Sequence, residues 1–297
     1  MTKINFYHSL IFFNLCITLA GIEYLREGSF LIISLFLILT IGISHGSLDH
    51  IKGKKLIKYL GYKSISVFYL GYIFVGITTI IIWLIFPKFL LFLFFIIAAF
   101  HFGKEDSEFI NKKKNFEFIY FFKGSLIIIA PLFFHKRETL EIFETLNFNI
   151  SNSILITNEI LIIFILLSLV SGFFLSLKNN IEVKSLLLMD YLSILVLNYF
   201  LNPIIAFTVY FCFLHSIRHS MSLIYEINNN LKKGLPIFIK KALPLTILTI
   251  IGYILSILVL NNYNELNETI YQVIFIGLAS LTFPHILLEY LIGKNEQ

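Results

Sequence analysis

This chain is poor in charged residues and in cysteine. Only 14% of its 297 residues are Asp, Glu, Lys or Arg, compared with roughly 25% in soluble domains. In contrast, 58% are hydrophobic and the mean hydropathy is +0.86. Such a chain cannot bury its apolar surface in one water-facing globule, which excludes an ordinary soluble enzyme. Cys16 and Cys212 both lie inside apolar runs, so the sequence predicts neither a disulfide nor a cysteine metal site.

The hydrophobic residues are grouped in runs close to the ~20 residues that a bilayer core requires. These runs are much longer than the alternating strands of a membrane barrel, and a helix satisfies its own backbone in lipid. We count ten candidate spans, and because some runs are short or abut, eight or nine are also possible. The expected fold is all-α: a polytopic integral membrane helical bundle with 8–10 transmembrane helices, in which residues 1–297 form a single transmembrane domain. The runs cover approximately residues 7–22, 28–48, 64–86, 88–103, 117–134, 153–177, 185–201, 203–220, 242–261 and 269–292.

Lysine and arginine are distributed unevenly between the loops. If the spans alternate from a cytoplasmic N-terminus, only Arg26, Lys88, Lys136 and Arg137 fall on the outer side. Positive loops favour the cytoplasm, so we expect a multi-pass protein of the cell membrane with both its N- and C-termini in the cytoplasm. The same loops account for the net charge of +5, so we expect membrane lipid as a partner and no nucleic acid.

Several apolar runs contain histidine near their ends. The first such stretch, residues 41–50, reads Ile-Gly-Ile-Ser-His-Gly-Ser-Leu-Asp-His and meets a lysine-rich loop. In the ten-span topology, five histidines fall near the cytoplasmic ends of even-numbered helices and therefore share one depth. Ionisable groups inside a membrane are costly and usually mark a function. These five are His45, His101, His215, His219 and His285.

The spacing of these histidines predicts a metal site. His215 and His219 are four residues apart, so they share one face of a helix and can chelate one ion. His45 and His101 can complete the set from two other helices. Four neutral imidazoles suit iron, copper, zinc or nickel better than magnesium or calcium. The sequence thus predicts a histidine-rich metal site near the cytoplasmic side, with catalysis carried by these four residues.

Acidic residues follow three of the histidines and can orient an imidazole through its second nitrogen. The alternative for each acid is a solvated helix end. His50 lies about 140° around an ideal helix from His45, so we place it beside the metal or at the mouth of the site. The acids that follow a histidine are Asp49 after His45, Asp106 after His101 and Glu289 after His285.

Together these segments resemble a known family, the bacteriorhodopsin-related (Brp/Blh) β-carotene 15,15′-dioxygenases. The resemblance spans nearly the whole chain and rests on residues 42–50, 101–106, 215–219 and 283–285. It implies an integral membrane enzyme that uses Fe(2+) and O2 to cleave β-carotene at its central double bond into two molecules of retinal. The retinal would be available to a rhodopsin.

The resemblance also implies roles for individual residues. His45, His101, His215 and His219 would bind the iron, and His50 and His285 would lie near the site.

Two other functions fit the same histidines. One is a di-iron membrane hydroxylase or desaturase acting on carotenoid or lipid, but two irons need more ligands than the well-placed histidines supply, since His8 and His135 lie elsewhere. The other is a non-enzymatic metal transporter or a factor that assists retinal-protein assembly. A transporter would more naturally carry polar residues across the whole membrane depth, whereas here they gather at one end.

Overall fold

The chain folds as a helical bundle, described by a computed structural model. Within the described residues there is no strand, which confirms the expected all-α class. Nine helices in this part of the chain are long and apolar enough to cross a membrane, within the expected range of eight to ten. The protein is therefore a multi-pass membrane protein. The structure describes residues 2–27, 30–110, 117–149, 156–177 and 179–295, without the side chains of residues 26, 27 and 45.

The helices follow one another with short connections. In chain order they are α1 (Thr2–Ala20), α2 (Tyr24–Glu27), α3 (Leu31–Leu37), α4 (Asp49–Tyr59), α5 (Ser66–Ile85), α6 (Pro87–Glu105), α7 (Glu117–Phe134), α8 (Lys136–Thr145), α9 (Asn158–Ser176), α10 (Ile181–Phe200), α11 (Pro203–Val209), α12 (Ile217–Ile227), α13 (Leu231–Leu260) and α14 (Leu266–Asn295). Two candidate spans are composite: α3 continues into α4, and α11 continues into α12. Helix α1 covers the first expected run but is not among the nine spans.

One segment expected as a loop is helical. The sequence predicts a lysine-rich loop after residue 50, but α4 continues to Tyr59. Lys54, Lys55 and Lys58 are exposed, whereas Gly53, Leu56 and Ile57 are buried where α4 packs against α14. The apolar face of this amphipathic segment explains why the helix extends beyond the apolar run.

The seventh and eighth expected runs form two helices rather than one kinked helix. Leu201 is extended, and the side-chain oxygen of Asn202 accepts a hydrogen bond from the backbone N–H of Ile204 at 3.1 Å. Pro203 occupies the first position of α11, where its missing N–H costs nothing and its fixed φ favours helix. Helix α10 therefore ends before Leu201, and α11 begins as a separate helix with Asn202 as its N-cap.

Two of the four segments that carry motif histidines depart from regular α-helix. A π-helical turn at Ile38–Gly42 precedes a 3-10 turn at Ser44–Leu48, and a second π-helical turn spans Tyr210–Ser216. The two π-helical turns contact each other, and the Ser216 hydroxyl donates to the Gly42 carbonyl at 2.8 Å. Single π-helical turns are frequently found at functional sites because they re-aim side chains.

Two glycines allow α6 and α7 to approach closely. A Cβ at Gly103 would collide with the backbone at Tyr120, and a Cβ at Gly124 would collide with the backbone at Ala99. Small residues at such contacts are typical of helix packing in membranes. The contact fixes the end of α6, where the histidine and the acids of this helix lie.

Candidate metal centre

Four histidine rings from three spans meet at one level of the bundle. The ring centroid of His101 lies 5.2 Å from that of His215 and 5.3 Å from that of His285, and those of His219 and His285 are 6.1 Å apart. All four side chains are buried. Rings that bind one ion through bonds of about 2.1 Å have centroids roughly 4.5–6.4 Å apart for bond angles between about 90° and 180°. The distances for these three pairs fall within this range. Among the described residues, the groups whose ligand atoms all lie within 4.8 Å of one another are Asp49 with His285 and Glu289, and Glu105 with Glu108 and His219.

A carboxylate holds the ring of His215. Nδ1 of His215 donates to Oδ1 of Asp106 at 3.0 Å, and the Tyr210 hydroxyl donates to Oδ2 at 2.6 Å. Burial alone would raise the pKa of Asp106, but His215 and the nearby charges of Lys123 and Arg218 hold that pKa below its usual value. Asp106 is therefore ionised, and its carboxylate accepts hydrogen bonds from both His215 and Tyr210.

The same arrangement recurs at two more rings. Nδ1 of His219 lies 2.8 Å from Oε2 of Glu105, and Nδ1 of His285 lies 2.8 Å from Oδ2 of Asp49. The Tyr72 hydroxyl also donates to this Asp49 oxygen at 2.8 Å. With Nδ1 on a carboxylate, Nε2 is the nitrogen that each ring offers to a metal, and the carboxylate fixes the orientation of the ring.

The acids support histidines of other helices. Asp106 follows His101 in the sequence, but its carboxylate accepts a hydrogen bond from His215, which belongs to a different span. Side chains four or five residues apart on one helix both point into the bundle, where a ring of the facing helix can lie closer to the acid than its own neighbour does. Asp49 follows His45 in the sequence, and the side chain of His45 lies outside the described residues.

Glu289 and Glu105 also lie beside the histidine cluster. Glu289, expected to orient an imidazole, forms an ion pair with Lys52 of α4 at 2.5 Å. Its carboxylate and ligand atoms of Asp49 and His285 all lie within 4.8 Å of one another. Sequence reasoning missed Glu105, although it adjoins Asp106 directly; the available signal was two consecutive acids just after a motif histidine.

The remaining histidines have other surroundings. Nδ1 of His50 lies 2.9 Å from the Ser47 carbonyl, and its ring lines a cavity beside the cluster. His45 belongs to the 3-10 turn Ser44–Leu48. Nε2 of His8 donates to the Phe213 carbonyl at 2.8 Å, and His135 precedes α8.

A buried ion pair anchors the helix that carries two of the rings. Arg218 donates to both carboxylate oxygens of Asp190 at 2.7 and 3.0 Å and to the Ser9 hydroxyl at 2.7 Å. It therefore links α12 to α10 and α1. Since Arg218 directly precedes His219, this ion pair also restricts the position of that ring.

The fold and the site define a class: a multi-pass membrane protein with a buried cluster of histidines backed by carboxylates. The chain matches the family model described as beta-carotene 15,15′-dioxygenase over residues 36–292. It belongs to that family, which confirms the resemblance carried by its motifs.

One relative extends the comparison. The protein named beta-carotene 15,15′-dioxygenase of the uncultured marine bacterium 66A03 is 28% identical over 263 residues, which cover 86% of this chain and 91% of that protein. No solved structure matches the chain.

Proposed function

We propose that this chain cleaves β-carotene at its central 15,15′ double bond into two molecules of retinal, with iron(II) as cofactor and O2 as second substrate. The central carbon–carbon double bond breaks, and each of its carbons receives one atom of the same O2 molecule. The reaction is balanced without an added reductant or proton. The family match over residues 36–292 supports this reaction, and the observation that carries the site is the cluster of four buried histidine rings.

We assign iron binding to His101, His215 and His219, with His45 as the ligand implied by the family resemblance. We add His285, because its ring lies within the cluster and its Nδ1 rests on Asp49. Neutral imidazoles suit ferrous iron and add no ligand charge. Iron bound there would supply the one-electron chemistry that lets O2 react with a closed-shell hydrocarbon.

The acids and the walls of the site have separate roles in this proposal. Asp106, Glu105 and Asp49 keep three rings in fixed orientations, because each accepts a hydrogen bond from an imidazole Nδ1. The substrate has no polar group, so only the shape of an apolar cavity can position its double bond. Such a cavity, of about 270 Å³, borders His101 and His285.

The setting of the reaction follows from the fold and the charges. We propose that the protein resides in the cell membrane with both termini in the cytoplasm, because positive loops favour that side. β-Carotene dissolves in the bilayer, so a site inside the bundle can receive it without passage through water. Retinal released there would be available to a rhodopsin in the same membrane.

The experiment is pigment analysis of β-carotene-producing cells that express the chain. We expect retinal to accumulate and the orange colour to fade. His215→Ala should abolish retinal formation, whereas the matched variant His135→Ala, altered just before α8 and outside the ring cluster, should retain it. Equal amounts of protein in the membrane are verified by immunoblot.

Two results would contradict the proposal. Unchanged carotene in aerated, iron-replete cells expressing the wild-type chain would exclude the reaction. Retinal at wild-type levels from His215→Ala would exclude the proposed iron site.

A further inference from the structure

Two apolar cavities adjoin the histidine cluster and share part of their walls. The outer cavity, bordered by α4, α5, α13 and α14, has a volume of about 270 Å³. The inner cavity, bordered by α6, α7, α8, α11 and α14, has a volume of about 80 Å³. Together they reach the low end of the range for small-molecule sites, roughly 300 Å³ and above. The residues that line both are Phe102, Phe211, Leu278 and Thr282.

The shared wall lies against the proposed iron ligands. The ring of Phe102 is 4.8 Å from that of His215, and Phe102 directly follows His101. The ring of Phe211 stacks on His215 at 5.8 Å with an interplanar angle of 16°. The central part of a long molecule that occupied both cavities would therefore lie beside the histidine rings.

The outer cavity reaches the lipid-facing surface of the bundle. Ile73 of α5 and Leu248 of α13 line it and are 56% and 64% exposed. Only 17% of the apolar window of α5 and 11% of that of α13 are buried, and both helices pack on α14. An exposed apolar surface on a membrane-spanning helix faces lipid, so this cavity opens sideways into the bilayer between α5 and α13.

The inner cavity has buried residues of three helices in its wall. Phe94 and Ala98 of α6, Ile142 of α8 and Ile204 of α11 line it and are at most 6% exposed. It is also the smaller cavity, so its size limits how far an end of a long molecule can advance.

We propose that β-carotene enters end-first from the bilayer between α5 and α13, and that its leading end advances into the inner cavity. The shared wall then holds the central double bond beside His101 and His215. This inference rests on the proposed function. β-Carotene is symmetrical, so it gives two identical products only when its central bond is cleaved. In this proposal the depth of the inner cavity limits how far the polyene advances, and it thereby selects the bond that lies beside the histidines.

The first test alters the depth of the inner cavity. Ala98→Leu reduces the volume of the inner cavity and Ile142→Ala increases it. Each variant should therefore shift the bound polyene along the two cavities, so that a different double bond lies beside the histidines. We expect retinal formation to fall about tenfold and aldehydes longer and shorter than retinal to form in equal amounts. Leu146→Ala removes the same kind of buried side chain at the end of α8 but lies outside both cavity linings, so it should yield retinal alone.

Products are identified by liquid chromatography with mass spectrometry and are normalised to the iron content of the purified protein. Retinal as the sole product of both Ala98→Leu and Ile142→Ala, at the wild-type rate, would overturn the inference. The two variants change the volume in opposite directions, so a folding defect in one leaves the other as a valid test.

The second test alters the opening to the bilayer and needs no catalysis. Ile73→Trp and Leu248→Trp narrow it, whereas Phe74→Trp and Leu255→Trp place the same side chain on the same helices outside the cavity lining. The rate at which β-carotene passes from liposomes to the purified protein is measured without oxygen. It should fall several-fold in Ile73→Trp and Leu248→Trp and stay unchanged in the two control variants. Equal rates in all four variants would overturn the route. Because oxygen is absent, the result stands whether or not the bound polyene is later cleaved.

Discussion

Two neighbouring spans of this bundle differ sharply in their surroundings. In Pro203–Ile227, which joins α11 and α12, 72% of the apolar window is buried, whereas in α13 only 11% is buried. The first span is the less apolar of the two, contains a π-helical turn and carries two site histidines and Arg218. The second is a continuous helix of 30 residues whose apolar side chains face lipid. Two of the proposed iron ligands thus lie in the span that is buried from lipid, whereas the lipid-facing span contributes none of the described rings of the cluster.

The largest expected effect comes from removing a ring of the buried span. His219→Ala takes away a proposed iron ligand together with the partner of Glu105, so retinal formation and iron content should both fall to background. Leu258→Ala, on the lipid face of α13, should leave both unchanged. Iron per chain is measured on purified protein, and wild-type iron in His219→Ala would break the contrast between the two spans.

The next effect concerns the ion pair that anchors the buried span. Asp190→Asn leaves the Arg218 guanidinium buried without its carboxylate partner, which costs about 3–5 kcal/mol in the free energy of unfolding. Lys240→Met removes an exposed charge from α13 and should change that free energy by less than about 0.5 kcal/mol. Denaturant unfolding in detergent provides the measurement. Equal losses in the two variants would show that burial does not distinguish the spans.

A smaller effect is expected when a ring is kept but its support is changed. Asp106→Asn preserves the shape of the side chain yet removes the charge that holds Nδ1 of His215, so iron affinity should fall about 10–100-fold. Glu226→Gln, at the exposed end of α12, is the matched change and should have no effect. Competition with an iron chelator measures the affinity. A stronger loss in Glu226→Gln than in Asp106→Asn would contradict the assigned role of this acid.

The smallest effect is expected at Tyr210. Tyr210→Phe removes one hydrogen bond to Asp106 while leaving its bond with His215, which corresponds to about 0.5–1.5 kcal/mol, or roughly a twofold to tenfold loss of iron affinity. The same competition assay resolves this difference. A loss as large as that of Asp106→Asn would mean that the tyrosine, rather than the carboxylate, positions the ring.

The sequence predicted the class of fold and much of the cluster because both depend on patterns along the chain. Run length predicted the spans. The spacing of His215 and His219 predicts two rings on one helical face, and in the structure their Nδ1 atoms lie beside the consecutive acids Asp106 and Glu105. The amphipathic pattern of α4 was also present in the sequence, but its lysines led to the wrong prediction of a loop.

The pairing of acids with rings could not be predicted in the same way. Periodicity specifies the face of a helix on which a residue lies, but not which helix packs against that face. Thus Asp106 accepts a hydrogen bond from His215 of another span, and Glu105 of α6 lies beside His219 of α12. His285, expected only near the site, has its ring within the cluster because α14 packs against α4 and α6 at that level.

X-ray absorption at the iron edge of the anaerobically purified protein tests the central claim most directly. We predict one iron per chain, surrounded by imidazole nitrogens at about 2.1 Å, with a weaker nitrogen signal in His101→Ala. Two irons with mutual scattering, or a first shell without imidazole, would contradict a single centre built from the histidines of three spans.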